Sequence, residues 1–241
     1  FILGSEEILD EDGNSIYVPD NETIYKMRPD FNGRFHGPDF NINIRTNAQG
    51  FRNEFDFNPK DENIIFMMGD SMTFGHGVEI KEAFSYLLQE KLGEKYKVYN
   101  LGVSGYGQSQ PVILLERMLP VYRPRMIILN FYVGNDLVNN CDMTPHLKED
   151  KSLYGRIRSL LKKSSVITLV YKSIVLSYKK PNDLPFYIGH PDVERCYEIT
   201  KRYFAKIGDL AKDYNVRLIV VIVGNEPQTV KEKEDALINR Y

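Results

Sequence analysis

Four continuous apolar runs punctuate the chain: Ile64 to Met68, Val98 to Leu101, Met126 to Val133 and Leu218 to Val223. Short runs without polar alternation predict strands covered on both faces of a parallel sheet. Between the first two, Ile80, Phe84, Leu87, Leu88 and Leu92 recur at helical spacing up to a stop at Gly93. After the second run, Ser109 is the predicted N-cap of a helix that takes Pro111 into its first turn and runs to Pro120. Val193, Tyr197, Phe204, Ile207, Leu210 and Ala211 trace one more helix face, ending near Asn215, just before the fourth run. Strands and helices alternate, so the predicted class is α/β.

Two segments break the rhythm. Residues 1–60 mix Asn, Asp, Gly, Pro and aromatics without a sustained helical period, which predicts loops and short strands: an N-terminal appendage packed on a domain spanning 61–241. Residues 146–190, with SLYGRIRSLLKKSSVITLVYKSIVLSYKK, read as a basic amphipathic helix or helix pair inserted after the third strand. A solvated helical cap is favoured there over a membrane-surface element, because basic faces are common on soluble helices.

Composition narrows the function classes. The 241 residues are 42% hydrophobic, enough for one sizeable core. A net charge of −2, from 31 Lys and Arg against 33 Asp and Glu, leaves no electrostatic footprint for nucleic acid. No apolar stretch approaches the roughly 20 residues of a spanning helix, and FILGSEEILD lacks a basic n-region and a cleavage-like site. Because the chain opens on Phe1 rather than Met, an upstream segment is expected, with room for a signal or a membrane anchor. Cys141 and Cys196 are too few for a disulfide framework and lack metal-ligand spacing. They read as two ordinary, partly buried thiols, with a single disulfide as the alternative.

Candidate chemistry gathers where the predicted strands end. The first run closes on Gly69, Asp70 and Ser71; the second on NLGVSGYG, with Gly102 and Gly105; the third on VGND, with Gly134, Asn135 and Asp136; the fourth on VGNEP. Open parallel sheets bind ligands at these carboxyl ends. A serine at a strand-to-helix turn exposes its hydroxyl and sets its amide near a helix N-terminus, a suitable seat for a nucleophile. Acyl transfer also needs donors aimed at the oxygen that becomes negative. Gly105 allows close backbone approach, and Asn135 offers a side-chain NH₂. If the second and third strands flank the first, Ser71, Gly105 and Asn135 converge on one mouth. Singly, each is a residue that any turn prefers; the combination carries the reading. Nucleotide loops fit worse: GDSMTFG lacks the Lys and Ser/Thr that should follow its last glycine, and GVSGYG has the wrong glycine order.

These stretches resemble the sequence blocks of the SGNH (GDSL-type) hydrolases. GDSMTFGHGV resembles the first block, with Ser71 matching the nucleophile. NLGVSGYG resembles the second, in which Gly105, in preference to Gly102, matches the amide donor to the oxyanion. VGND resembles the third, with Asn135 matching the side-chain donor. RTNAQGFRNEF is similar to the segment that precedes the first block in many bacterial members. The resemblance implies a three-layer α/β/α flavodoxin-like fold whose parallel sheet has about five strands, four of them visible here. It also implies ester hydrolysis through an acyl-enzyme on Ser71 without cofactor or metal, or acyl transfer from the same site. The implied substrate is a small-molecule or glycan ester, such as an O-acetyl group on a carbohydrate, and the implied location is exported or periplasmic.

One family element has no match. A late Asp-x-x-His supplies the base in these enzymes, and this chain ends on DALINRY without one. A serine hydroxyl is a weak nucleophile unless a base takes its proton. His36, in GRFHGPD, reads as a turn residue; His76 is expected to face a helix start or solvent. His146 follows Asp142 by the wrong interval, and His190, before Pro191, reads as structural. The favoured expectation is that the protein continues past Tyr241 into a fifth strand carrying the motif. The alternative is a binding module that keeps the oxyanion mouth without turnover. Asp70 is expected to shape its turn and Asp136 to fix its loop.

Overall fold

The computed structural model of the protein describes residues 8–142 and 193–224. Short antiparallel strands come first: β1 (Ile8–Asp10), β2 (Tyr17–Asp20), β3 (Ile24–Met27), β4 (Asn32–His36) and β5 (Asn41–Arg45). β1, β4 and β5 form one sheet, and β2 pairs with β3 as a hairpin. Period-two alternation in β4 and β5 turns Gly33, Phe35, Ile42 and Ile44 inward and leaves Asn32, Arg34, Asn41, Asn43 and Arg45 in water.

The chain then enters a parallel sheet. β6 (Ile64–Met68) is buried at every position. β7 (Lys97–Asn100) pairs along one edge of β6, β8 (Met126–Tyr132) along the other, and β9 (Arg217–Val223) lies outside β8. The order β7-β6-β8-β9 puts the first strand of the sheet between the second and third, as the flavodoxin-like reading requires. Between the strands run α1 (Ser71–Phe74), α2 (Phe84–Leu92), α3 (Ser109–Tyr122), α4 (Asp136–Asp142) and α5 (Val193–Asp213). α2 lays Phe84, Leu88 and Leu92 on Ile65, Met67 and Val98. Leu115 and Leu119 of α3 and Phe204 and Ile207 of α5 belong to the larger cluster, with Phe66, Tyr99, Leu129 and Phe131. Side chains in a strand alternate between faces, so the two clusters lie on opposite sides of the sheet and the fold has three layers, α/β/α. Ile16, Met27 and Ile44 from the N-terminal strands join the larger cluster, so one apolar core spans both regions.

Several expectations need correction. The periodic stretch after Ile80 is not one helix: a 3₁₀ turn, Ile80–Glu82, is separated from α2 by extended Ala83, although Gly93 does end α2. Gln108, not Ser109, is the N-cap of α3, and Pro120 lies inside that helix. In the last turn proline removes a single backbone bond, so the helix continues to Tyr122 before Arg123 turns left-handed at φ 46°. β9 was expected to be covered on both faces, yet Ile219 and Val221 each remain 40% exposed. The segment 146–190, His146, His190, DALINRY and residues 225–227 of VGNEP lie outside the described residues. Among the described residues no helix is long and apolar enough to cross a membrane.

The favoured reading of two free thiols is also overturned. α4 packs on α5, and this contact brings Cys141 and Cys196 into a disulfide with Cα atoms 5.0 Å apart, closing a sequence separation of 55 residues. A pairing made by tertiary packing of two helices leaves no trace in cysteine spacing. By the loop-closure argument, the bridge contributes about 4 kcal/mol. Denaturant unfolding of the Cys141→Ser/Cys196→Ser protein should show a loss of that order, and reductant should lower the melting temperature of the parent protein but not of the double variant.

Candidate active site

β6 delivers the chain to Gly69 and then to Asp70, whose Oδ1 accepts the Met72 N–H at 3.0 Å and caps α1. Ser71 is the first helical residue and is half-buried. Gly75, left-handed at φ 85°, closes the helix by donating its N–H to Ser71 O at 3.1 Å. The glycine-rich GDSMTFGHG is thus one short helical turn, with a capped serine at its start and a glycine stop at its end.

On the β7 side, Gly102 lies against α1 so tightly that a Cβ there would stand 2.5 Å from Phe74 N. Its own N–H is committed to Asn100 Oδ1 at 2.9 Å. Gly105, at φ 82°, occupies a backbone conformation that favours glycine, and its N–H has no acceptor among the described residues. On the β8 side, Tyr132 N–H bonds to Asp136 Oδ2 at 2.9 Å and closes the turn that presents Asn135. The Asn135 side chain has no hydrogen-bond partner among the described residues. Ser71, Gly105 and Asn135 therefore sit on loops that leave three adjacent strands at one end of the sheet. Val103 N–H, bonded to Gly69 O at 3.2 Å, ties the first two loops together.

The first and third loops meet through their acids. Asp70 and Asp136 are buried, with their carboxyl groups within hydrogen-bonding reach of each other. Complete burial, reinforced by the charge of Asp70, holds Asp136 well above the usual carboxylate range. Burial also raises Asp70, against the Met72 N–H, the Ser71 hydroxyl and Asp136, which favour its charged form. From Asp136 a buried polar chain continues: Gln108 Nε2 donates to Asp136 Oδ2 at 2.9 Å, Asn140 Nδ2 to Gln108 Oε1 at 2.5 Å and to Thr200 Oγ1 at 2.8 Å.

Sequence reading assigned no role to the N-terminal residues that frame this end of the sheet. Arg52 is buried and donates to four backbone carbonyls, those of Phe74, Gly75, Val78 and Asn43. Burial pushes its guanidinium down to about 10, with Glu79 opposing. Asn53 bonds both backbone groups of Asn100. Tyr25 donates its hydroxyl to Ser104 O at 2.7 Å, beside Gly105. Arg52 and Asn53 belong to RTNAQGFRNEF, whose family likeness was the one available signal.

Of the described histidines, His76 donates its backbone N–H to Ser71 O at 3.0 Å. His36 ends β4, before a turn closed by Gly37 N–H to Phe40 O. The His76 ring packs edge-on against Phe35 and Phe40, with centroids at 4.8 and 5.5 Å. Among the described residues, no group of three His, Cys, Asp or Glu side chains is arranged to hold a metal ion.

The family model of the GDSL-like Lipase/Acylhydrolase family matches residues 67–237. Solved structures similar to the chain include the psychrotrophic esterase EstA from Pseudoalteromonas sp., 19% identical over 66% of this chain and 78% of that one, with a TM-score of 0.33. A GDSL-like lipase from Bacteroides thetaiotaomicron is 17% identical over 75% and 88%, with a TM-score of 0.32. A variant of Axe2, an acetyl xylan esterase from Geobacillus stearothermophilus, is 17% identical over 66% and 76%, with a TM-score of 0.30. No curated protein matches the chain.

Two outcomes follow from this geometry. Arg52→Met removes the donor from four backbone carbonyls, two of them in buried bonds, and should cost about 3 kcal/mol in urea unfolding, and Arg52→Lys should recover little because it lacks the planar fork. Asp136 has a raised pKa in the folded state, so the folded protein holds a proton that the unfolded chain releases. Its contribution to stability is complete below the ordinary carboxylate pKa of about 3.9 and is lost as pH rises through the folded value. Asp136→Asn should flatten this decline, which melting temperatures between about pH 4 and pH 8 would read.

Proposed function

Because this chain belongs to the GDSL-like lipase/acylhydrolase family, we propose that it is an ester hydrolase in which Ser71 attacks the acyl carbonyl. The Oγ–carbon bond forms as the hydroxyl proton leaves to a base, and the carbonyl oxygen becomes the oxyanion. The N–H groups of Ser71 and Gly105 and the Asn135 side chain receive that charge. Collapse expels the alcohol and leaves an acyl-enzyme, which water then hydrolyses.

The observation that carries this reading is the pairing of position with spare donors. Ser71, Gly105 and Asn135 each follow one of three adjacent parallel strands, and neither the Gly105 N–H nor the Asn135 side chain has a hydrogen bond among the described residues, whereas the rival Gly102 has its N–H in use; this supports the reading. Preorganised donors of this kind do not need to reorganise when charge develops. The RTNAQGFRNEF segment makes an O-acetyl ester on a carbohydrate the first substrate to try. An acyltransferase reading uses the same residues with a sugar hydroxyl in place of water.

The 241 residues contain no Asp-x-x-His, and the His76 ring packs on Phe35 and Phe40. Turnover by these residues alone is therefore expected to be slow, and a module that binds esters without hydrolysis is the second reading. Hydrolysis of p-nitrophenyl acetate should disappear in Ser71→Ala. Asn135→Ala should raise the barrier by about 3 kcal/mol, reducing kcat while leaving KM nearly unchanged. Equal losses in kcat and binding would remove Asn135 from the oxyanion site. A fluorophosphonate should label the parent protein slowly at Ser71 and not label Ser71→Ala; acetate release compared with transfer to an added glycan separates hydrolase from transferase.

A further inference from the structure

We propose that Asp136 is kept as a neutral acid that donates its proton to the Asp70 carboxylate, and that this one hydrogen bond sets the spacing between the Ser71 loop and the Asn135 loop. The positional consequence rests on the roles proposed above for Ser71 and Asn135; the bond itself does not.

The hydrogen-bond inventory of the two carboxyls leads to this arrangement. Asp70 Oδ1 accepts from Met72 N–H, and Asp136 Oδ2 accepts from Gln108 Nε2 and Tyr132 N–H. One oxygen of each group is left over. The Ser71 hydroxyl also lies beside the Asp70 carboxyl, yet Asp70 Oδ2 and Asp136 Oδ1 are both buried and neither has an assigned hydrogen bond among the described residues. Two carboxylates in contact inside a protein cannot both stay ionised, and a single shared proton satisfies both orphans at once. Both acids are buried, but Asp70 caps the start of α1 by accepting the Met72 N–H and has the Ser71 hydroxyl beside it, so the charge is better tolerated on Asp70 and the proton belongs to Asp136. The high pKa of Asp136, set by burial and by the neighbouring charge, agrees with that placement. The further titratable group that feels Asp70 is the Tyr25 hydroxyl, raised by burial and neutral.

Each acid also shapes its own loop. Asp70 caps the helix that begins with Ser71, and Asp136 closes the turn that carries Asn135. A bond between them therefore links the nucleophile's seat to the oxyanion donor's seat. Both are positioning residues, since neither needs to touch substrate.

The test uses infrared spectroscopy and paired variants. The parent protein at neutral pH should show a protonated-carboxyl carbonyl band that is absent in Asp136→Asn and retained in Ser71→Ala. In Asp136→Asn the amide N–H can replace the acid proton, and its carbonyl still serves Gln108 and Tyr132. This variant should melt within a few degrees of the parent and lose less than about threefold in kcat, whereas Asp136→Leu, with no donor, should lose about tenfold or more with KM little changed. Asp70→Asn/Asp136→Asn sets two NH₂ groups face to face and should melt lower than either single variant. Absence of the band, as a cation bridging two carboxylates would give, overturns the proposal. So does an Asp136→Asn variant as damaged as Asp136→Leu, or a double variant no worse than the singles. If Ser71 proves not to be a nucleophile, the band and the melting series still decide whether the shared proton exists.

Discussion

Asn100 at the end of β7 donates to Thr73 O at 2.9 Å, and Asn130 in β8 donates to Thr73 Oγ1 at 3.0 Å. These bonds hold α1 between its neighbouring strands, and the rest of the site depends on them. A helix of four residues bears the full entropic cost of nucleation with almost no propagation to offset it, so it does not persist on its own. It persists here because its middle is gripped from both sides, its start is capped by Asp70, and the Phe74 carbonyl at its end accepts from Arg52. The Ser71 hydroxyl is placed by side chains that belong to other elements.

This dependence explains why so much polar surface lies inside. Asn100, Asn130, Gln108, Asn140, Asp136 and Thr200 are all buried at one end of the sheet. Burying such groups is costly unless each finds a partner, and a network is favourable only when it is complete. Here the partners form a continuous sequence from Asp136 through Gln108 and Asn140 to Thr200, which donates to Cys196 O at 2.8 Å. The far end of that sequence adjoins the disulfide between α4 and α5. A polar path that ends on a covalent bridge has little freedom to relax, so the turn bearing Asn135 is constrained from behind as well as from the Asp70 side.

What could be read from the sequence follows the range of the forces involved. Apolar runs report burial directly, and Ile64–Met68 was legible to the residue because all five positions are covered. Ser71, Gly105 and Asn135 could be placed after the ends of β6, β7 and β8 from the sequence because each follows an apolar run by a few residues. The misses are of another kind. Pro120 inside α3 was missed because a helix tolerates proline where only one bond is lost. The Cys141–Cys196 bridge, the Arg52 bonds to Phe74, Gly75 and Val78, and the Asp70–Asp136 contact join residues 55, 22 to 26 and 66 positions apart. No local pattern encodes such pairings; they exist only once the strand order has brought the loops together.

Arg52 shows how the N-terminal strands bear on the chemistry. An isolated buried guanidinium is expensive, and here no carboxylate among the described residues accepts from it. Its acceptors are backbone carbonyls, including those of Phe74 and Gly75 at the end of the Ser71 helix, where helix carbonyls lack intrahelical donors. The same segment supplies Asn53 to the backbone of Asn100, the residue that grips Thr73, and Tyr25 to the carbonyl of Ser104, next to Gly105. Two of the three candidate catalytic loops are therefore held by side chains from residues before β6, and the third is held through the acid pair. A sheet that carried these loops without that frame would present the same residues with carbonyls and amides open to water, and the preorganisation on which oxyanion stabilisation depends would be lost.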